Sequence, residues 1–164
     1  MDDPSSISIN ITAPKKISKY LEEFRELASI VACKEYSLWL KKKVKKNKNQ
    51  KILSIRIIAN KTIQTFNKRY LGIDSATDVI AFSYLEEMDT LIVDTIGDII
   101  ISHEMAMNSC RSFKNSFKKE LSLYIIHGVL HVFGYDDITA SKKAKMWKRQ
   151  DYYTKKYFED CDEV

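Results

Sequence analysis

Residues 123–137 read LYIIHGVLHVFGYDD, an apolar run interrupted by His127 and His131 and closed by a Gly-Tyr turn and two aspartates. On a helix, histidines four residues apart lie on one face, a turn from each other, so two imidazoles can approach the same ion. The run is also apolar enough for a core helix whose histidines are satisfied within the protein. The pair alone leaves both readings open. Gly134 can end the helix in a left-handed cap, and the reversed chain can then bring Asp137 back over the histidine face. Zinc accepts a carboxylate oxygen at about 2.0–2.2 Å, and two histidines with one carboxylate leave a fourth position for water, as in catalytic sites. His127, His131 and Asp137 are therefore the candidate metal ligands.

The surrounding pattern predicts the scaffold. Helices are expected over residues 103–113, 117–133 and 139–158. Residues 19–40 place Leu21, Phe24, Leu27, Ala28 and Val31 at three- and four-residue spacing, a helix with one apolar stripe. Residues 6–12 (SISINIT) alternate Ile with polar residues, and residues 52–58 (ILSIRII) are rich in β-branched side chains. Residues 78–84 (DVIAFSY) and 97–102 (GDIIIS) read as two further strands, and the acidic stretch with Glu86, Glu87 and Asp89 suits a loop between them. Asn60 is expected to N-cap a short helix reaching Tyr70. The order β-α-β-α-β-β-α-α-α makes a single α+β domain over residues 1–164. It predicts a small mixed sheet of about four strands covered by helices, with the metal site on a C-terminal helix and the turn that follows.

Composition narrows the class. Of 164 residues, 45% are hydrophobic and 30% charged, as in a globular protein with a real core. No apolar run approaches the roughly 18–20 residues that cross a bilayer, so no membrane association is expected. The first residues, MDDPSSISINI, are acidic and polar where an export signal is basic and then apolar. Cys33, Cys110 and Cys161 are odd in number and far apart, which fits unpaired thiols in a reducing cytoplasm. The net charge is +5, and six lysines fall within residues 41–48 (KKKVKKNK). Such a block can attract a phosphate backbone, although lysines also suit a solvated helix end.

The quoted stretch resembles the H-G-x-L-H-x-x-G-Y-D-H signature of the YbeY proteins, bacterial endoribonucleases of rRNA maturation. Residues 67–82 (NKRYLGIDSATDVIAF) are similar to the family's N-x-x-Y-R-x-x-D-x-P-T-D-V-L-S-F block. Residues 97–102 resemble its G-D-I-x-I-S, and residues 119–121 (KEL) its R-E-L. The resemblance implies a metal-dependent, single-strand-specific endoribonuclease acting in 16S rRNA 3′-end processing and ribosome quality control. Its implied partners are single-stranded rRNA and the ribosome or its small subunit. It also implies one zinc ion held by three signature histidines, of which His127 and His131 match the first two and Asp137 stands in the third place. The family's phosphate-meeting arginine corresponds to Leu71, which leaves Arg69, Lys68 or the lysine block as substitute cations; Arg69, with His127 and His131, completes the expected catalytic set. His103 is expected to cap or pack at its helix start.

Two other readings are available. A metallopeptidase of the H-E-x-x-H type needs a glutamate where this chain has Gly128. A zinc-stabilised ribosome-assembly factor with little or no nuclease activity would keep the fold and basic surface, and the leucine at position 71 favours it.

Overall fold

β4 (Thr95–Ser102) lies between two neighbours in the sheet order β1-β2-β4-β3 and is buried along most of its length. The computed structural model describes residues 7–42, 50–87 and 94–159. Lysines 43, 45, 46 and 48 of the basic block, Asp89 and Cys161 lie outside these residues. β1 (Ile7–Thr12) and β2 (Lys51–Ile58) pair in parallel, as do β2 and β4, whereas β3 (Val79–Ser83) runs antiparallel on β4. The sheet is mixed and four-stranded, as the pattern predicts.

Parallel neighbours need long crossovers, and helices fill them. A 3-10 turn (Lys15–Tyr20) and α1 (Leu21–Leu40) join β1 to β2, and α2 (Asn60–Leu71) leads from β2 toward β3. α3 (His103–Phe113), α4 (Phe117–Val132) and α5 (Ala140–Glu159) follow β4. The main core lies between the sheet face carrying Leu53, Ile55, Ile99 and Ile101 and the apolar sides of α1 and α4. On the other face, Ile80 and Ile100 meet Ile63 of α2 in a smaller cluster. β4 must therefore be apolar on both faces, and a strand so covered loses the alternation of a half-buried one.

α4 is buried nearly all round, packing on α1, α3, α5, β3 and β4. Gly128 makes this close approach possible. A Cβ there would sit 2.5 Å from Ile99 Cγ2 and 3.2 Å from Val79 Cγ1. The position faces the sheet, so the glutamate a peptidase requires has no room here.

Asn60 is not an N-cap. Ala59 takes that position without a side-chain bond, and Asn60 begins the helix. Its N–H donates to Glu104 Oε2 at 2.7 Å, and its Oδ1 accepts from Ser102 Oγ at 2.5 Å. A carboxylate from α3 thus satisfies an α2 terminus that its own sequence does not cap. His103 packs rather than caps: it is 5% exposed, while Ser102 Oγ accepts from the Met105 N–H.

Candidate metal centre

α4 delivers the two histidines on adjacent turns. Their ring centroids are 4.6 Å apart and nearly perpendicular, with the two Nε2 atoms 3.0 Å from each other. Each Nδ1 is engaged from behind. His131 Nδ1 lies 2.9 Å from the Tyr135 carbonyl, which can only accept, so the proton of the neutral ring sits on Nδ1. His127 Nδ1 lies 3.1 Å from Gln150 Oε1 on α5, which favours the same tautomer. Burial, and then the neighbouring His127, hold the His131 imidazole below the usual histidine range, so it is neutral near pH 7.

Two Nε2 lone pairs thus point at each other, which is repulsive unless a proton or a cation lies between them. Gly134 has φ 86°, the left-handed cap expected, and its N–H donates to the His131 carbonyl. The turn brings Asp137 to the pair: one ligand atom from each of His127, His131 and Asp137 lies within 4.8 Å of the others. Asp136 points its charge elsewhere, with Oδ2 2.7 Å from Lys142 Nζ. Nitrogens about 2.0–2.1 Å from a tetrahedral ion stand roughly 3.3–3.4 Å apart, so the pair needs to open by only a few tenths of an ångström. The donor set fits a divalent ion of the zinc type, with protonated Nδ1 atoms anchored behind it as metal-binding histidines require.

A cleft of about 460 Å³ opens beside His127, with Asp78, Asn115, Glu120, Tyr124 and Gln150 among its walls. Asp78 Oδ1 accepts from the Val79 N–H at 2.8 Å, and Glu120 Oε1 from Asn115 Nδ2 at 2.6 Å. No lysine or arginine is among the described residues of its lining. Arg69 is exposed on the last turn of α2, with its guanidinium 5.5 Å from the Tyr70 ring. Lys68 pairs with Asp74 at 2.7 Å, and Leu71 is 57% exposed. The structure therefore gathers His127, His131 and Asp137, and leaves Arg69 outside the cleft wall.

Three supporting residues escaped the sequence reading. Gln150 holds His127 from α5. Glu35, 3% exposed on α1, accepts from Arg149 Nε (2.6 Å), Tyr153 OH (2.5 Å) and Tyr135 OH (3.2 Å). This network fixes Tyr135, whose carbonyl orients His131. Asp78 lines the cleft together with His127. Glu35 alone left a local signal, since it falls on the apolar stripe of α1, seven residues after Ala28.

A protein-family model described as endoribonuclease YbeY matches residues 26–158. An endoribonuclease YbeY from Fusobacterium nucleatum is 40% identical over 101 residues, covering 60% of this chain and 62% of that protein. The Bacillus subtilis protein of the same name is 36% identical over 109 residues, covering 62% of this chain and 69% of its own. The match thus spans less than two thirds of the length of the Fusobacterium relative. The solution structure of TM1509 from Thermotoga maritima is similar with a TM-score of 0.61 at 26% identity, covering 94% of this chain and 91% of that one. The chain belongs to the endoribonuclease YbeY family.

Proposed function

We propose that His127, His131 and Asp137 hold one zinc ion and that the protein is an endoribonuclease cutting single-stranded RNA. In the cell it would act in the cytoplasm on ribosome-associated rRNA, in 16S 3′-end maturation and ribosome quality control. The observation that carries this reading is the convergence of two Nδ1-anchored imidazoles and a carboxylate on one point at the edge of an open cleft. When bound, the ion supplies Lewis acidity toward water and toward a phosphoryl oxygen. The Tyr135 carbonyl and Gln150 orient the two rings from behind. Asp78 and Glu120 add negative charge to the cleft wall, so an incoming phosphate needs a cation from outside the described lining. Arg69 is the proposed cation for that role, acting from the end of α2.

A second reading is favoured by one observation: no basic side chain is among the described residues lining the cleft, and Leu71 is neutral. That reading is an assembly factor that uses the ion for structure. Cleavage assays on matched unstructured and duplex RNA, with zinc-loaded protein, separate the two. The nuclease reading expects cuts in the unstructured strand only, and loss of cutting in Asp137→Ala. A metal-loaded, folded protein that cuts neither RNA removes the nuclease reading and leaves the assembly reading.

A further inference from the structure

Two large aromatic side chains stand exposed on the walls of the cleft that holds His127. Phe113, the last residue of α3, is 73% exposed, and Trp147, at the start of the third turn of α5, is 54% exposed. Scattered exposed apolar residues need no explanation, but two rings sharing one concave site with a candidate catalytic group do. Trp147 lies three residues before Gln150, about 4.5 Å of axial rise, and Gln150 Oε1 is 3.1 Å from His127. Lys143 Nζ lies 4.8 Å from the Trp147 ring centroid, one turn away on the same helix. The cleft volume of about 460 Å³ is within the roughly 300–1,000 Å³ of sites that take small organic groups.

The geometry points to a nucleobase-stacking platform: Trp147 and Phe113 each receive an unpaired base, with Lys143 meeting the phosphate beside the base on Trp147. This rests on the single-strand nuclease reading and names how that site selects its substrate. A flat π-face stacks on any base, which gives strand selectivity without sequence selectivity. Bases in a duplex are already stacked on each other and present no free face, so a duplex gains nothing from the two rings. The acidic interior of the cleft also favours an aromatic base over a second phosphate.

The test is a fluorescence titration in the Trp39→Phe background, where Trp147 is the remaining tryptophan of the two in the chain. Short oligoadenylate, an abasic strand of equal charge and a duplex serve as probes. Oligoadenylate should quench Trp147 emission, and the abasic strand and the duplex should not. In the protein with both tryptophans, Trp147→Ala should weaken oligoadenylate binding about 5- to 150-fold, with the salt slope unchanged because no ionic contact is lost. Trp147→Phe should restore most of the affinity, and Phe113→Ala should weaken binding in the same direction. Equal quenching by the abasic strand, or wild-type affinity in both alanine variants, overturns the platform even where the protein still cuts single strands. Emission that changes with protein concentration alone makes the patch a contact between copies and also overturns it. A wild type that neither binds nor cuts RNA removes the nuclease reading and the platform together.

Discussion

Arg149→Leu should show how strongly the candidate site depends on a network its sequence does not advertise. The Glu35 side chain is 3% exposed and that of Arg149 is 22% exposed, and their ion pair measures 2.6 Å. Removing one partner of a buried pair costs about 3–5 kcal/mol, because the remaining charge has left water without compensation. Here Tyr135 and Tyr153 still donate to the carboxylate, and Arg149 is partly wet. The lower end, about 3 kcal/mol, is therefore expected. For a chain of this length that lowers Tm by roughly 6–12 °C. Urea unfolding followed by circular dichroism measures the free-energy loss, and a thermal scan the shift in Tm. Adding Glu35→Gln should recover part of the loss, since an amide is less costly to bury than an unpaired carboxylate. A loss under about 1 kcal/mol, or a further loss on adding Glu35→Gln, would show that the buried pair does not hold this network together.

Leu71→Arg supplies a guanidinium, a group able to hold two phosphate oxygens at once, at the position where the resembled family block has its arginine, and the site is exposed with little packing to lose. Single-turnover cleavage of unstructured RNA should rise, by about 100- to 1,000-fold at most, and the gain should vanish when His131→Ala is added. An unchanged rate would mean that another cation serves, and Arg69→Ala would then identify it. Gly128→Ala should destabilise by about 1–2 kcal/mol, as the overlap with Ile99 outweighs the gain in helix propensity; a neutral result in urea would contradict the close packing of α4 on the sheet. Burial holds both His103 and His131 below the usual histidine value of about 6.5, with Lys16 adding to the effect on His103 and His127 to that on His131. Below that value the unfolded metal-free chain binds more protons than the folded one. Stability is complete above it and should fall as pH drops through it, so a flat Tm between about pH 7.5 and pH 5 would count against these burials.

The parts of this molecule that were legible in its sequence are those set by near neighbours. The i, i+4 histidines, the left-handed Gly134 and the return of Asp137 depend on one helix end, and each is where the spacing puts it. The element order was legible for the same reason, since periodicity and β-branched runs are local. Gln150 and Glu35 were not, because their partners lie 23 residues away for Gln150 and at least 100 away for Glu35. A glutamine on a lysine-rich helix looks like a solvated residue until α5 is laid across α4. Asn60 shows the converse: a residue well suited to capping was displaced by one position because Glu104, from another helix, already satisfies that terminus.

RNA cleavage should follow the filling of one site made by His127, His131 and Asp137. Zinc added back stepwise to chelator-stripped protein, with single-turnover cleavage of an unstructured RNA read at each step, measures this. The rate should rise linearly and break at about one ion per chain, and His131→Ala should give neither the rise nor the break. Cleavage by stripped protein at the full rate, or equal activation of His131→Ala by zinc, would contradict the claim.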